Sequence, residues 1–153
     1  MTPGEEGRAV DATMRAMSRL ALSYLAVLLV VGVLDYLWLR VIATAWYESA
    51  MAHLLAPKPN LVAAAVFYFA YPVGLMVFAV APSGGDALRA LALGALFGLF
   101  AYGTYDITCL AVMRDWSLRL TLIDIAWGTF VSAAGALAGA LAWQALRGPG
   151  VTA

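Results

Sequence analysis

Four apolar runs, separated by short polar or Pro- and Gly-containing breaks, organise this chain: Leu20 to Trp38, Leu61 to Ala81, Leu88 to Met113 and Leu118 to Leu146. About 20 residues at ~1.5 Å rise each cover the hydrocarbon core of a bilayer, so every run is long enough to span. Arg8, Arg15 and Arg19 precede the first run and Arg40 follows it, while its helical character can continue toward His53. Pro57, Lys58, Pro59 and Asn60 open the second run, and Pro82, Ser83, Gly84 and Gly85 close it; such clusters are boundary signals. Asp86 is a candidate N-cap for the third run, which ends at Arg114 and Asp115, and Arg147, Gly148 and Pro149 end the fourth. Backbone groups in lipid must be paired internally, and no ten-residue alternating pattern points to a barrel, so the runs are helices. The pattern predicts an all-α, integral membrane, antiparallel four-helix bundle over residues 14–147, with spans at about 20–40, 61–81, 88–113 and 118–146. Residues 1–13 and 148–153 are small, polar and without periodicity, and are expected to be flexible ends.

Composition agrees. The chain is 64% hydrophobic and 12% charged, with a mean hydropathy of +0.87, against roughly 45–50% apolar and ~25% charged in soluble domains. Nine basic and nine acidic residues cancel, and no basic run recommends a nucleic-acid partner. Cys109 stands alone, which excludes an internal disulfide, and the lone His53 excludes ordinary zinc spacings, so no metal and no cofactor is expected. The first run continues past Gly32 without a cleavage signal and is expected to be retained. Arg8, Arg15, Arg19, Arg89 and Arg147 fall on the face of the termini, against Arg40, Lys58, Arg114 and Arg119 on the other. Because the first helix often dominates orientation, the termini are expected in the cytoplasm, with the protein multi-pass in its membrane. The connection from Val41 to Asn60 carries Trp46, Tyr47, Glu48 and His53 and is expected to extend the helix or lie at the interface.

Against this background Asp35, Asp106 and Asp124 stand out, because an ionisable group at the centre of a transmembrane helix costs at least ~2.5 kcal/mol and marks a functional site by default. Asp35 lies roughly 22 Å along the first helix and Asp106 roughly 27 Å along the third, both entered from the side of the termini. Asp124 lies roughly 9 Å into the fourth, entered from the opposite side. All three therefore belong to one layer near the face away from the termini, shared with Trp38, Tyr102, Tyr105 and Trp127. Tyr102, Tyr105, Asp106 and Cys109 make one helical stripe. Asp35 with Trp38, and Asp124 with Trp127, are each one turn apart, so each indole can lie beside its own carboxylate and donate its N–H or pack over it. A bland reading makes the outer acids interfacial groups and Asp106 a hydrogen-bond hub between helices, worth ~0.6 kcal/mol. Pairing of the acids with Arg40, Arg114 and Arg119 would favour that reading. Acids without such partners make a polar cavity, and Asp35, Trp38, Tyr102, Tyr105, Asp106, Asp124 and Trp127 are its candidate ligand-binding residues.

Other features have packing as their sufficient reading. Gly94 and Gly98 on the third helix, and Gly128, Ser132, Gly135 and Gly139 on the fourth, allow close backbone approach. Pro72 and Gly74 are expected to kink the second helix or free a carbonyl. His53 reads as an interfacial polar residue and Cys109 as a small buried one.

Several segments taken together resemble a family of small bacterial inner-membrane proteins, domain of unknown function 2177. They are Asp35-Tyr-Leu-Trp38-Leu with Tyr47, Phe67-Tyr68, Gly74-Leu75, Phe78-Ala79-Val80, Gly98, Tyr102-Gly-Thr-Tyr-Asp-Ile-Thr108, Trp116, and Asp124-Ile-Ala-Trp-Gly-Thr129. The resemblance runs from about Leu20 to Leu141 and implies a four-helix inner-membrane protein, with no activity attached. Asparagine is usual in that family where this chain has Cys109, which weakens a polar role there.

Three functions compete. An acidic, aromatic pocket opening to one face suits binding or transport of a small cation, a proton or an amphipathic ligand, with transport calling for a homo-oligomer because one four-helix unit holds no repeat pair. An enzyme using aspartate acid and base chemistry on a lipid or isoprenoid needs the same residues, but no nucleophile or cofactor fingerprint supports it. An accessory subunit would pack its glycine ridges and lipid-facing aromatics on a larger membrane complex. Membrane lipids are partners in every case.

Overall fold

A computed structural model describes residues 3–44, 46–47 and 56–146, and among these there is no strand. Helix α1, Pro3–Leu37, ends in a π-helical turn at Trp38–Ile42. Helix α2, Leu61–Ser83, contains a second π-helical turn at Met76–Val80. Helices α3, Ala87–Val112, and α4, Leu118–Ala145, complete a four-helix antiparallel arrangement. Each helix is long and apolar enough to cross a membrane.

The helix starts follow from local chemistry. Asn60 accepts from the amides of Val62 and Ala63, Asp86 from that of Arg89, and Ser117 from that of Leu120, each satisfying donors that a helix N-terminus leaves open. Between α3 and α4 the chain reverses through Asp115 at φ 58°, a left-handed conformation that Asp tolerates better than most residues. Residues 3–13 are the first turns of α1, with Glu5 and Glu6 at its positive end. Arg8 Nε donates to the Gly4 carbonyl and Thr13 Oγ1 to that of Ala9, within the same turns. Glu48, His53 and residues 147–153 lie outside the described residues.

Helix α4 is the centre of the bundle, packed against α3 along most of its length and against α1 on another side. Its small residues make this possible. A Cβ on Gly98 would collide with the Gly128 carbonyl and Ser132, and one on Gly94 would sit 2.5 Å from the Ala136 methyl. Gly135 and Gly139 admit Val31, Val27 and Val80 from the other helices. The glycine ridges are thus used inside the bundle rather than on its outer surface. Pro72 sits within α2 and removes one helix hydrogen-bond donor; one turn later the wider π turn brings Met76, Ala79 and Val80 onto the core. That core of Val27, Val31, Leu75, Met76, Ala79, Val80, Val131 and Ala136 fills the half of the bundle nearer the termini. At that end Arg19 Nε donates to the Leu146 carbonyl, and Gln144 donates to the carbonyl of Gly85, tying the helix ends together.

Candidate functional site

The other half of the bundle is polar. Asp35 comes from the last turns of α1, Asp106 from the last third of α3, and Asp124 from the second turn of α4. Asp35 is 4% exposed, Asp106 1%, and Asp124 is half-buried. The carboxyl groups of Asp106 and Asp124 lie within hydrogen-bonding reach of each other, and Asp35 is close enough to Asp124 for their charges to interact. Among the described residues, no arginine or lysine is one of the groups acting on the three carboxylates. Arg40, Arg114 and Arg119, candidates for pairing, are all exposed.

The aromatic partners differ from the local pairing available along each helix. Trp127 of α4 donates from Nε1 to Asp35 Oδ1 of α1 at 3.0 Å, rather than to Asp124 one turn away on its own helix. Trp38 does not donate to Asp35; it lies flat on Trp127, with ring centroids 4.4 Å apart and planes at 6°. Two indoles and one carboxylate therefore clamp α1 to α4. The reason is packing: the small α1–α4 contact brings the two helices close enough for an indole to cross, and stacking covers both rings.

Asp124 receives its donor from outside the spans. The Tyr47 hydroxyl donates to Asp124 Oδ1 at 2.5 Å. A straight continuation of α1 would carry Tyr47 ~18 Å beyond Asp35. Instead, the Ala43 amide donates to the Trp38 carbonyl at 2.7 Å, closing a π turn, and the chain bends at Ala43 and returns over the end of the bundle. Burial, followed by the Asp124 carboxylate beside it, holds the Tyr47 phenol above its ordinary range, so it stays a neutral donor. Tyr47 carries no local signal of this role, because a bend and not helical spacing puts it there.

Two groups in the layer lack matching partners. Among the described residues neither oxygen of Asp106 has an N–H or hydroxyl donor, and Trp38 Nε1, in a residue 8% exposed, meets no acceptor at hydrogen-bond geometry, although the Tyr47 hydroxyl is near. Asp106 is left with the Asp124 carboxyl, and two carboxyl groups in such contact are compatible only when a proton lies between them.

A groove of about 400 Å³ reaches this layer from the side, lined by Phe67 and Tyr71 of α2, Ala101, Tyr102 and Tyr105 of α3, and Asp124. Its rim is open: Phe67 is 39% and Tyr105 57% exposed. Tyr102 lies across Gly128, where any Cβ would enter its ring, and Tyr71 shares a 2.7 Å hydrogen bond with Ser132. The structure thus brings Tyr102, Tyr105 and Asp124 to the groove and sets Asp35, Trp38 and Trp127 on the α1 side of α4. Asp106 joins the two through Asp124. Beyond Tyr105, Trp116 packs edge-on and donates to Thr121 Oγ1 at 2.9 Å, closing the loop over this face. Tyr71 and Phe67 were legible only as members of an aromatic-rich helix. Among the described residues no cluster of acids, histidine or cysteine suits a metal ion.

Residues 20–141 match a protein family described as a predicted membrane protein, DUF2177. No curated protein and no solved structure matches the chain.

Proposed function

The chain belongs to the DUF2177 family of predicted membrane proteins, and from that premise we propose that this multi-pass protein binds or passes a small cation, a proton or an amphipathic ligand at its acid layer. We place it in the bacterial inner membrane with both termini cytoplasmic, so that the layer lies toward the opposite face. One observation carries the reading: three carboxylates within the membrane spans have no basic partner among the described residues. Burying uncompensated acids costs several kcal/mol, and selection retains such groups where they meet a proton or a ligand. Aromatic side chains beside them supply faces that attract cations. The glycines on which an accessory subunit would dock are occupied within the bundle, which favours a site over a scaffold.

The test is purification with native lipids followed by mass spectrometry of what co-elutes. A small molecule retained by the wild type and lost from Asp35→Asn and Asp124→Asn supports the site. Equal retention by all three, or a stoichiometric protein in place of a ligand, overturns it.

A further inference from the structure

The ligand class can be narrowed from the groove, its charge and its open side, on the reading that the layer binds a ligand. We propose that the occupant is a cationic amphiphile, an ammonium head on an apolar chain, which enters sideways between α2 and α3 and displaces the proton held between Asp106 and Asp124.

Four observations converge. The groove's volume of about 400 Å³ is within the ~300–1,000 Å³ of ligand sites. Its walls are apolar and aromatic, with Asp124 as the charged residue lining it, which matches a molecule with one polar end. Its rim residues Phe67 and Tyr105 are exposed on the flank of membrane-spanning helices, so the entry is from the lipid phase. Finally, Asp106 is 1% exposed and, among the described residues, meets the Asp124 carboxyl but no N–H or hydroxyl donor, so a carboxyl is buried here with only another acid against it. An anionic head would meet carboxylates with no base, and a neutral head would leave their charge unbalanced. A bare metal ion would need converging ligands, which the described residues do not provide. An organic cation is attracted both by carboxylate and by the faces of Tyr71, Tyr102 and Tyr105.

The proton balance follows. Before binding, the Asp106–Asp124 pair holds one proton and one negative charge. The ammonium head brings one positive charge, both carboxylates become anionic, and one proton leaves to water. No bond to carbon or nitrogen changes. The described groups facing the pair are Asp35 from α1, Tyr47 beyond it, Tyr71 from α2, and Tyr102, Tyr105 and Cys109 from α3; Asp35 is the carboxylate among them able to take a proton, and the count of protons released to buffer distinguishes release to water from transfer to Asp35.

The experiment uses the full chain in phosphatidylcholine nanodiscs and dodecyltrimethylammonium, whose charge does not change with pH. Calorimetry in buffers of different ionisation enthalpy counts the protons. The wild type is expected to release one proton per ligand, with Kd falling about tenfold per pH unit while the pair remains protonated. Asp106→Asn, checked for folding by circular dichroism, is expected to bind without proton release and without that slope. Saturable binding with no proton released in the wild type overturns the exchange and leaves a binding site standing. Equal affinity for uncharged dodecyl maltoside overturns the cationic class. No binding of either amphiphile, with nothing native retained on purification, overturns the site as well. Should Asp106→Asn fail to fold, the wild-type proton count decides alone.

Discussion

The two halves of this bundle are built from the same four helices and solve opposite problems. Toward the termini, Val27, Val31, Leu75, Val80, Val131 and Ala136 interlock over glycines, and shape alone specifies the contact. Toward the other face, Asp35 and Asp124 with Tyr47 and Trp127 are joined by directional bonds that leave Asp106, among the described residues, with no N–H or hydroxyl donor. Lipid tails are as apolar as the side chains they replace, so the first half gains from close packing and not from escaping water. The second half accepts a cost in stability that packing does not require. The difference separates what holds the helices together from what the assembled helices do.

The largest effect should come from filling the packed half. Gly98→Val places carbon where the Gly128 carbonyl and Ser132 already stand, and should cost about 3 kcal/mol, read as a lowered unfolding midpoint in detergent. Retention of wild-type stability would mean that α3 and α4 do not approach closely here. The polar half should respond in the reverse sense. Asp106→Asn should change stability by less than about 1 kcal/mol, since it replaces a carboxyl without donors by an amide of the same shape that can donate to Asp124. A loss as large as that of Gly98→Val would make the acid layer part of the scaffold and remove the contrast.

Trp127→Phe deletes the donor to Asp35 but keeps an aromatic ring against Trp38, and should cost about 1 kcal/mol. Its near-ultraviolet circular dichroism should also lose the coupled signal of the stacked indoles. The smallest effect concerns Tyr47, whose phenol is held above the ordinary value of 10.0 by burial and by Asp124. Below that pH the phenol is protonated whether folded or unfolded, so its contribution is fully present. As pH rises past about 10, the unfolded phenol ionises first, the unfolded state gains, and stability falls. Tyr47→Phe should flatten that decline in a pH series of thermal melts; an unchanged decline would detach Tyr47 from Asp124.

Much of the fold was legible because lipid leaves the chain few options. The starts at Asn60 and Asp86 coincide with caps that the boundary residues announce. Helix rise and alternating direction were sufficient to place three aspartates in one layer, because rise per residue is fixed by the helix itself. Helix α1 begins ahead of its apolar run, since a polar segment without apolar periodicity still forms helix when its first turn carries Glu5 and Glu6 and its side chains bond back to their own carbonyls. The i, i+3 spacing makes an aspartate–tryptophan contact available along a helix, but a closely packed neighbour offers a competing one, and Trp127 bonds Asp35 of α1.

By itself, then, the sequence determined that this chain spans a membrane four times and carries its acids near one face, because hydropathy, end signals and helix rise are local properties. Only the tertiary structure decided which indole meets which carboxylate, that Asp106 leans on Asp124 without a base between them, and that Tyr47 returns over the bundle. Those outcomes depend on where backbones approach and where a π turn bends the chain, and no single helix contains that information.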